Sequence, residues 1–156
     1  MMVVELALLG TLFIASALGL IVFFTNRARV VNQQFLLFAA LIALWQLSGW
    51  YILQASETNA AMLAIRLASV FAAAIPTSCH LLRLAIKFAE SSFTAIIWKA
   101  WPLILLSVGT TLFCFSDIFL YSAVIPTEVD LAKGALVEPQ YGKGLALYAA
   151  YFLLSG

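Results

Sequence analysis

The chain has 156 residues, of which 65% are hydrophobic and 10% charged, and its formal net charge is +1. A soluble domain carries about a quarter charged residues, so this much apolar surface requires lipid as its solvent, and the near-zero charge leaves no nucleic-acid footprint. The two cysteines, Cys79 and Cys114, supply neither a disulfide framework nor metal-ligand spacing.

At about 20 residues per crossing, the apolar runs predict spans over residues 3–25, 34–54, 60–88, 93–115 and 144–156, with an outer loop over 116–142. The expected fold is an all-α polytopic membrane protein, one helical bundle with a small extracytoplasmic β-hairpin. The start, Met1-Met2-Val3-Val4-Glu5, has no basic leader, and no small-residue cleavage site follows, so the first run is expected to stay as a helix. Thr11, Ala15 and Gly19 lie four apart on it, a small-residue face that permits close helix approach. Arg27 and Arg29 anchor its end at the water interface.

The second span follows the polar step Asn32-Gln33-Gln34 and carries Gln46 near its middle. A carboxamide in hydrocarbon needs a partner; an interhelical hydrogen bond is the structural reading and a ligand contact the functional one. The turn Ser56-Glu57-Thr58-Asn59 leads to the third span. There Arg66, Ser69, Ala73, Pro76, His80, Arg83 and Lys87 recur at steps of three and four, and so share one helix face. Arg66 lies inside the membrane end and is expected to pair with an acid, with Glu5, Glu57 and Asp117 as candidates; an anionic ligand is the rival reading. Pro76 lacks the N–H that would bond the Ala72 carbonyl, which favours a bend. His80 is the one histidine, without co-ligands at metal spacing, and is read as a hydrogen-bonding residue before a proton switch.

The fourth span opens after Ser91-Ser92, with Trp98, Lys99 and Trp101 as an interfacial anchor on the same side as Arg83 and Lys87. In the outer loop, residues 118–125 are rich in β-branched and aromatic side chains. Residues 127–131 and 135–137 flank Ala132-Lys133-Gly134, which reads as a small hairpin. The last run is too short for a crossing, so that span is read as incomplete. Positive residues gather at the loops near 26–33 and 88–92. Those loops are therefore assigned to the cytoplasm, and the N-terminus and hairpin to the outside of a bacterial cytoplasmic membrane. Cys79 and Cys114 then sit near opposite leaflets, too far apart to bridge.

No nucleotide loop, catalytic triad or pair of intramembrane carboxylates occurs. The chain is therefore expected to have no enzymatic activity of its own and no cofactor, and its expected partners are the bilayer and other membrane helices.

Several features share an order with a known family. They are Asn26 and Asn32 leading to Phe35, then Leu44-Trp45, Arg66-Leu67-Ala68, Ile75-Pro76, His80-Leu81 and Phe88. The tryptophan-marked fourth helix, the hairpin, and Tyr141-Gly142-Lys143-Gly144 before Tyr148 complete the order. Together they resemble the N-terminal seven-helix sensor region of bacterial histidine kinases and diguanylate cyclases. The resemblance implies a sensory input module, with two further helices and an output domain outside this chain. The competing expectation is a non-catalytic accessory subunit of a larger membrane complex, for example one packing against pigment- or cofactor-bearing subunits. Half of a transporter is disfavoured because no internal repeat is evident.

Overall fold

The computed structural model describes residues 2–127 and 136–155, and in it each long apolar run is a helix. The order is α1 (Met2–Thr25), α2 (Val30–Gln54), α3 (Thr58–Lys87), α4 (Phe93–Cys114), β1 (Leu120–Val124), β2 (Glu138–Tyr141) and α5 (Leu145–Ser155). The first four helices are long and apolar enough to cross a membrane. This is a multi-pass membrane protein. The fifth helix has 11 described residues, about 16 Å of rise.

Helices α1 to α4 pack in chain order, and α5 lies against both α3 and α4. The central member is α3. Its 30 residues rise about 45 Å, against a hydrocarbon core of about 30 Å. One-third of the residues in its most apolar window are buried, against 6% for α1, which packs on α2 along one face and leaves the rest exposed.

The second helix begins at Val30, four residues before the expected start at Gln34. Asn32 and Gln33 are polar without breaking the helix because their amides turn back to the α1–α2 turn. Asn32 Nδ2 donates to the carbonyls of Val22 and Asn26 at 2.9 and 3.1 Å, and Gln33 Nε2 donates to Arg27 O at 2.9 Å. They tie α2 to the last turn of α1 and to the turn after it. The early start places Gln34 within the packed face, fully buried, and neither its Oε1 nor its Nε2 has a partner among the described residues.

The interior of the bundle is built from small side chains. Ala39, Ala43, Ala61, Ala64, Ala73, Ala85 and Ala100 are buried, as are Ser48, Ser69, Ser78 and Ser107. With lipid as solvent, burying large apolar groups offers little advantage, so close backbone approach and dispersion hold the helices together. Gly19 shows how close: a Cβ there would stand 2.7 Å from Ala39 Cβ. Most interior hydroxyls need no partner helix. Ser48 Oγ donates to Leu44 O and Ser69 Oγ to Ile65 O, each at 2.9 Å.

Larger side chains gather at the end of the bundle capped by the hairpin. Strand β1 pairs antiparallel with β2, Leu120 opposite Tyr141 and Val124 opposite Glu138, with an irregularity between Leu120 and Ser122. A two-strand antiparallel hairpin in this loop is as expected, while the hairpin read around Ala132-Lys133-Gly134 falls on residues 127–137, most of which are not described. That turn lies outside the described residues, and the strand partner of 120–124 is 138–141. Phe119 is fully buried, with ring centroids 6.1 Å from Phe113, 5.4 Å from Tyr141 and 5.0 Å from Tyr148. It joins Ala61, Ile65, Cys114, Leu120 and Ala123 in one cluster. The return from β2 to α5 lies directly on the 118–119 backbone. Gly142 N donates to Phe119 O at 2.9 Å and Gly144 N to Ile118 O at 3.0 Å. A side chain at either glycine would collide with the Ile118 carbonyl, which explains two glycines so near a helix start.

Candidate functional site

The stripe of α3 residues at steps of three and four is the seam on which the other elements converge. At the end nearer the hairpin, Arg66 reaches it. Its Nη2 donates to Asp117 Oδ1 at 2.7 Å and to Leu120 O at 2.9 Å. Of the three acids considered as partners, Asp117 is the one in contact. Glu5 instead accepts from Gln54 Nε2 at 3.3 Å, joining α1 to α2, and Glu57 is the residue preceding α3. Arg66 is 18% exposed and Asp117 85%, so the carboxylate is largely in water and the contact to Leu120, whose residue is fully buried, is the drier of the two. Arg66 Nε is buried and has no partner among the described residues.

One turn deeper, the Tyr148 hydroxyl donates to Ser69 O at 2.7 Å. A further turn down, Ala73 O accepts from the Tyr151 hydroxyl at 2.5 Å and from Ser107 Oγ at 3.4 Å. Thr77 Oγ1 lies 3.2 Å from the same phenol oxygen; since the phenol proton goes to Ala73, Thr77 is the donor. These contacts surround Pro76. The helix continues through the proline, but the Ala72 carbonyl loses its intrahelical donor there. The adjoining turn is held by donors from α4 and α5 instead, as membrane helices interrupted by proline require.

A cavity of about 330 Å³ lies beneath the hairpin beside this seam. Trp45, Tyr141, Tyr148, Ile65 and Ala72 are among its walls, and none of the described residues that line it is charged. Burial, and secondarily the neighbouring Cys114, raises the Tyr141 phenol above its ordinary range, so it stays protonated and available as a donor. Gln46, next to Trp45, is partly buried, and its side chain makes no hydrogen bond among the described residues.

At the opposite end of the seam, His80 and Arg83 share a second cavity with Lys99. Lys99 Nζ stands 3.4 Å from the Phe88 ring centroid, and Lys87 Nζ 5.5 Å from it. Trp98 and Trp101 are exposed on α4 nearby. Arg27 sits over the Phe24 ring at 4.4 Å, and Arg29 precedes α2 without a side-chain cap. Both cysteines are free thiols, Cys79 exposed and Cys114 buried. No cluster of three or more His, Cys, Asp or Glu residues suited to a metal ion occurs among the described residues.

Sequence reasoning singled out Arg66 and Pro76 but missed Tyr148, Tyr151 and Ser107 as their supporting partners. The signal was present: Tyr148 and Tyr151 are three apart and share a helix face. Gln34 stands where polarity predicts the start of the second span, and its burial follows only from the earlier start at Val30. No family model, no curated protein and no solved structure matches this chain.

The two Arg66 contacts separate by mutation. Arg66→Met removes the donor to a buried carbonyl and is expected to cost about 1–3 kcal/mol. Asp117→Asn breaks an exposed ion pair, worth at most about 1 kcal/mol. Urea or thermal unfolding in detergent measures both. Equal losses would mean that the ion pair, and not the carbonyl contact, fastens the hairpin.

Proposed function

We propose that this chain is a membrane-embedded sensory input module of a bacterial signal-transduction protein, non-catalytic by itself. The observation that carries the reading is the tie between the hairpin and α3 through Arg66. In this reading the hairpin and the N-terminus face out of the cytoplasmic membrane. A signal bound in the neutral, aromatic-walled cavity beneath the hairpin displaces the cap, and Arg66 transmits the displacement to α3. Pro76 is the point at which α3 yields, because its turn is held by side-chain bonds from α4 and α5. Such bonds can be exchanged without unwinding the helix. Kinase or cyclase chemistry would belong to a domain outside this chain.

The test is a fusion of the chain to the further helices and output domain of a kinase reporter. Pro76→Ala and Arg66→Met are each expected to shift output by about fivefold or more, while Leu153→Ala, on the exposed face of α5, leaves it unchanged. Unaltered output in both seam variants would remove this reading.

One observation favours a second reading, an accessory subunit of a larger membrane complex. Large apolar side chains of α1 such as Val3, Leu6, Phe13, Ile14 and Ile21 are exposed, leaving a helix face for a partner. A membrane protein retained at fixed stoichiometry through mild-detergent purification would favour that reading over the sensor.

A further inference from the structure

We propose that the cavity between α3, α4 and the end of α5 is a headgroup site for an anionic phospholipid. Three observations meet there. First, the cavity, about 390 Å³, is lined by His80, Arg83 and Lys99, whereas none of the four other cavities described has a charged residue in its wall. Second, Arg83 and Lys99 have no counter-ion among the described residues. Among the described residues the single ion pair is Arg66–Asp117 at the other end of the bundle, and no carboxylate lies within 4.0 Å of Arg83 or Lys99. Phe88 holds Lys99 by its ring face, which positions the ammonium without neutralising it. Third, the remaining wall is apolar, with Leu103, Leu154 and Pro102 beside the cations, and Trp98 and Trp101 are exposed on the same stretch of α4.

A charged head beside an apolar wall, at a level flanked by tryptophans, matches a phosphodiester with acyl chains and not a free anion. His80 lies seven residues inside the end of α3 at Lys87, about 10 Å along the axis, so the site reaches below the helix end. A phosphate there would meet Arg83 and Lys99 with their charges only partly screened by water. Ser155, also in the wall, adds a hydroxyl. The site is independent of the sensor reading, since it uses neither the hairpin nor the Pro76 turn.

The experiment is native mass spectrometry of the purified chain in neutral detergent. The probes are phosphatidylglycerol, phosphatidylcholine and, separately, inorganic phosphate. The comparison is Arg83→Gln/Lys99→Gln against Arg27→Gln/Arg29→Gln, which removes the same charge from residues that do not line the cavity. The expected result is retention of phosphatidylglycerol over phosphatidylcholine. That retention should fall about tenfold or more in the cavity variant, stay unchanged in the control variant, and resist inorganic phosphate. Equal loss in both variants would mean general charge attraction and would overturn the site. So would retention without headgroup preference, or displacement by inorganic phosphate. A circular-dichroism melt of both variants separates loss of the site from loss of the fold, and Arg83→Lys/Lys99→Arg, which keeps the charge, should restore retention.

Discussion

Phe119→Ala is expected to open the capped end of the bundle and expose the Cys114 thiol. Phe119 is fully buried and contacts three aromatic rings, contributed by α4, β2 and α5, so its loss leaves a cavity that the rigid helix ends cannot collapse to fill. Truncating a buried phenylalanine costs about 3–5 kcal/mol. Cys114 lies in the same cluster and is fully buried, which makes it a native reporter of local opening. In a Cys79→Ser background, labelling of Cys114 by a maleimide reports the open fraction. Every ~1.4 kcal/mol multiplies that fraction tenfold, so labelling should accelerate on the order of a hundredfold or more. Leu153→Ala, at a side chain 85% exposed, should change it little. An unaltered rate in Phe119→Ala would mean that Cys114 is covered by something other than the aromatic cluster.

The second large effect is expected where α3 passes Pro76. Ala73 O takes two side-chain donors, from Tyr151 and Ser107. Removing one leaves the other in place. Removing both in Tyr151→Phe/Ser107→Ala leaves the α3 turn beside the proline without interhelical support, in surroundings where Ala73 is fully buried. Ala73 O keeps Thr77 N–H as its helical donor at i+4, so each side-chain hydrogen bond lost there costs about 0.5–1.5 kcal/mol. Because the two donors share one acceptor, the double variant should lose more than the sum of the single variants, as unfolding in detergent by circular dichroism would reveal. Strict additivity would mean that the two donors do not share one acceptor in solution. Pro76→Ala restores the backbone donor to Ala72 and is expected to recover part of the loss in the double variant.

The long apolar elements were legible in the sequence because a span is recognised from length and hydropathy alone, and α1 to α4 satisfy both. The ends of elements were less legible. Asn32 and Gln33 look like a loop by polarity, yet they belong to α2 because their amides reach back to carbonyls at the end of α1. The hairpin partner was not legible either. Glu138-Pro139-Gln140-Tyr141 has no strand-like alternation, and its pairing with 120–124 is set by contacts across the cap. Arg66 was identifiable as a residue in need of an acid, but three acids lay toward the same end. Which one meets it depends on the path of the chain after Cys114, which no local pattern encodes. The two tyrosines of α5 were visible as residues, but their roles depend on acceptors more than seventy positions earlier.

That separation has a consequence for how the protein is made. Arg66 leaves the ribosome 51 residues before Asp117, and Ala73 precedes Tyr151 by 78. At about 5–20 residues per second, the α3 turn beside Pro76 waits roughly 4–16 s for its α5 donor. During that interval the third helix resides in the bilayer with a proline and an arginine whose final partners have not been synthesised. The order of synthesis thus makes the cap and the α3–α5 seam close after α1, α2 and α3 have been made.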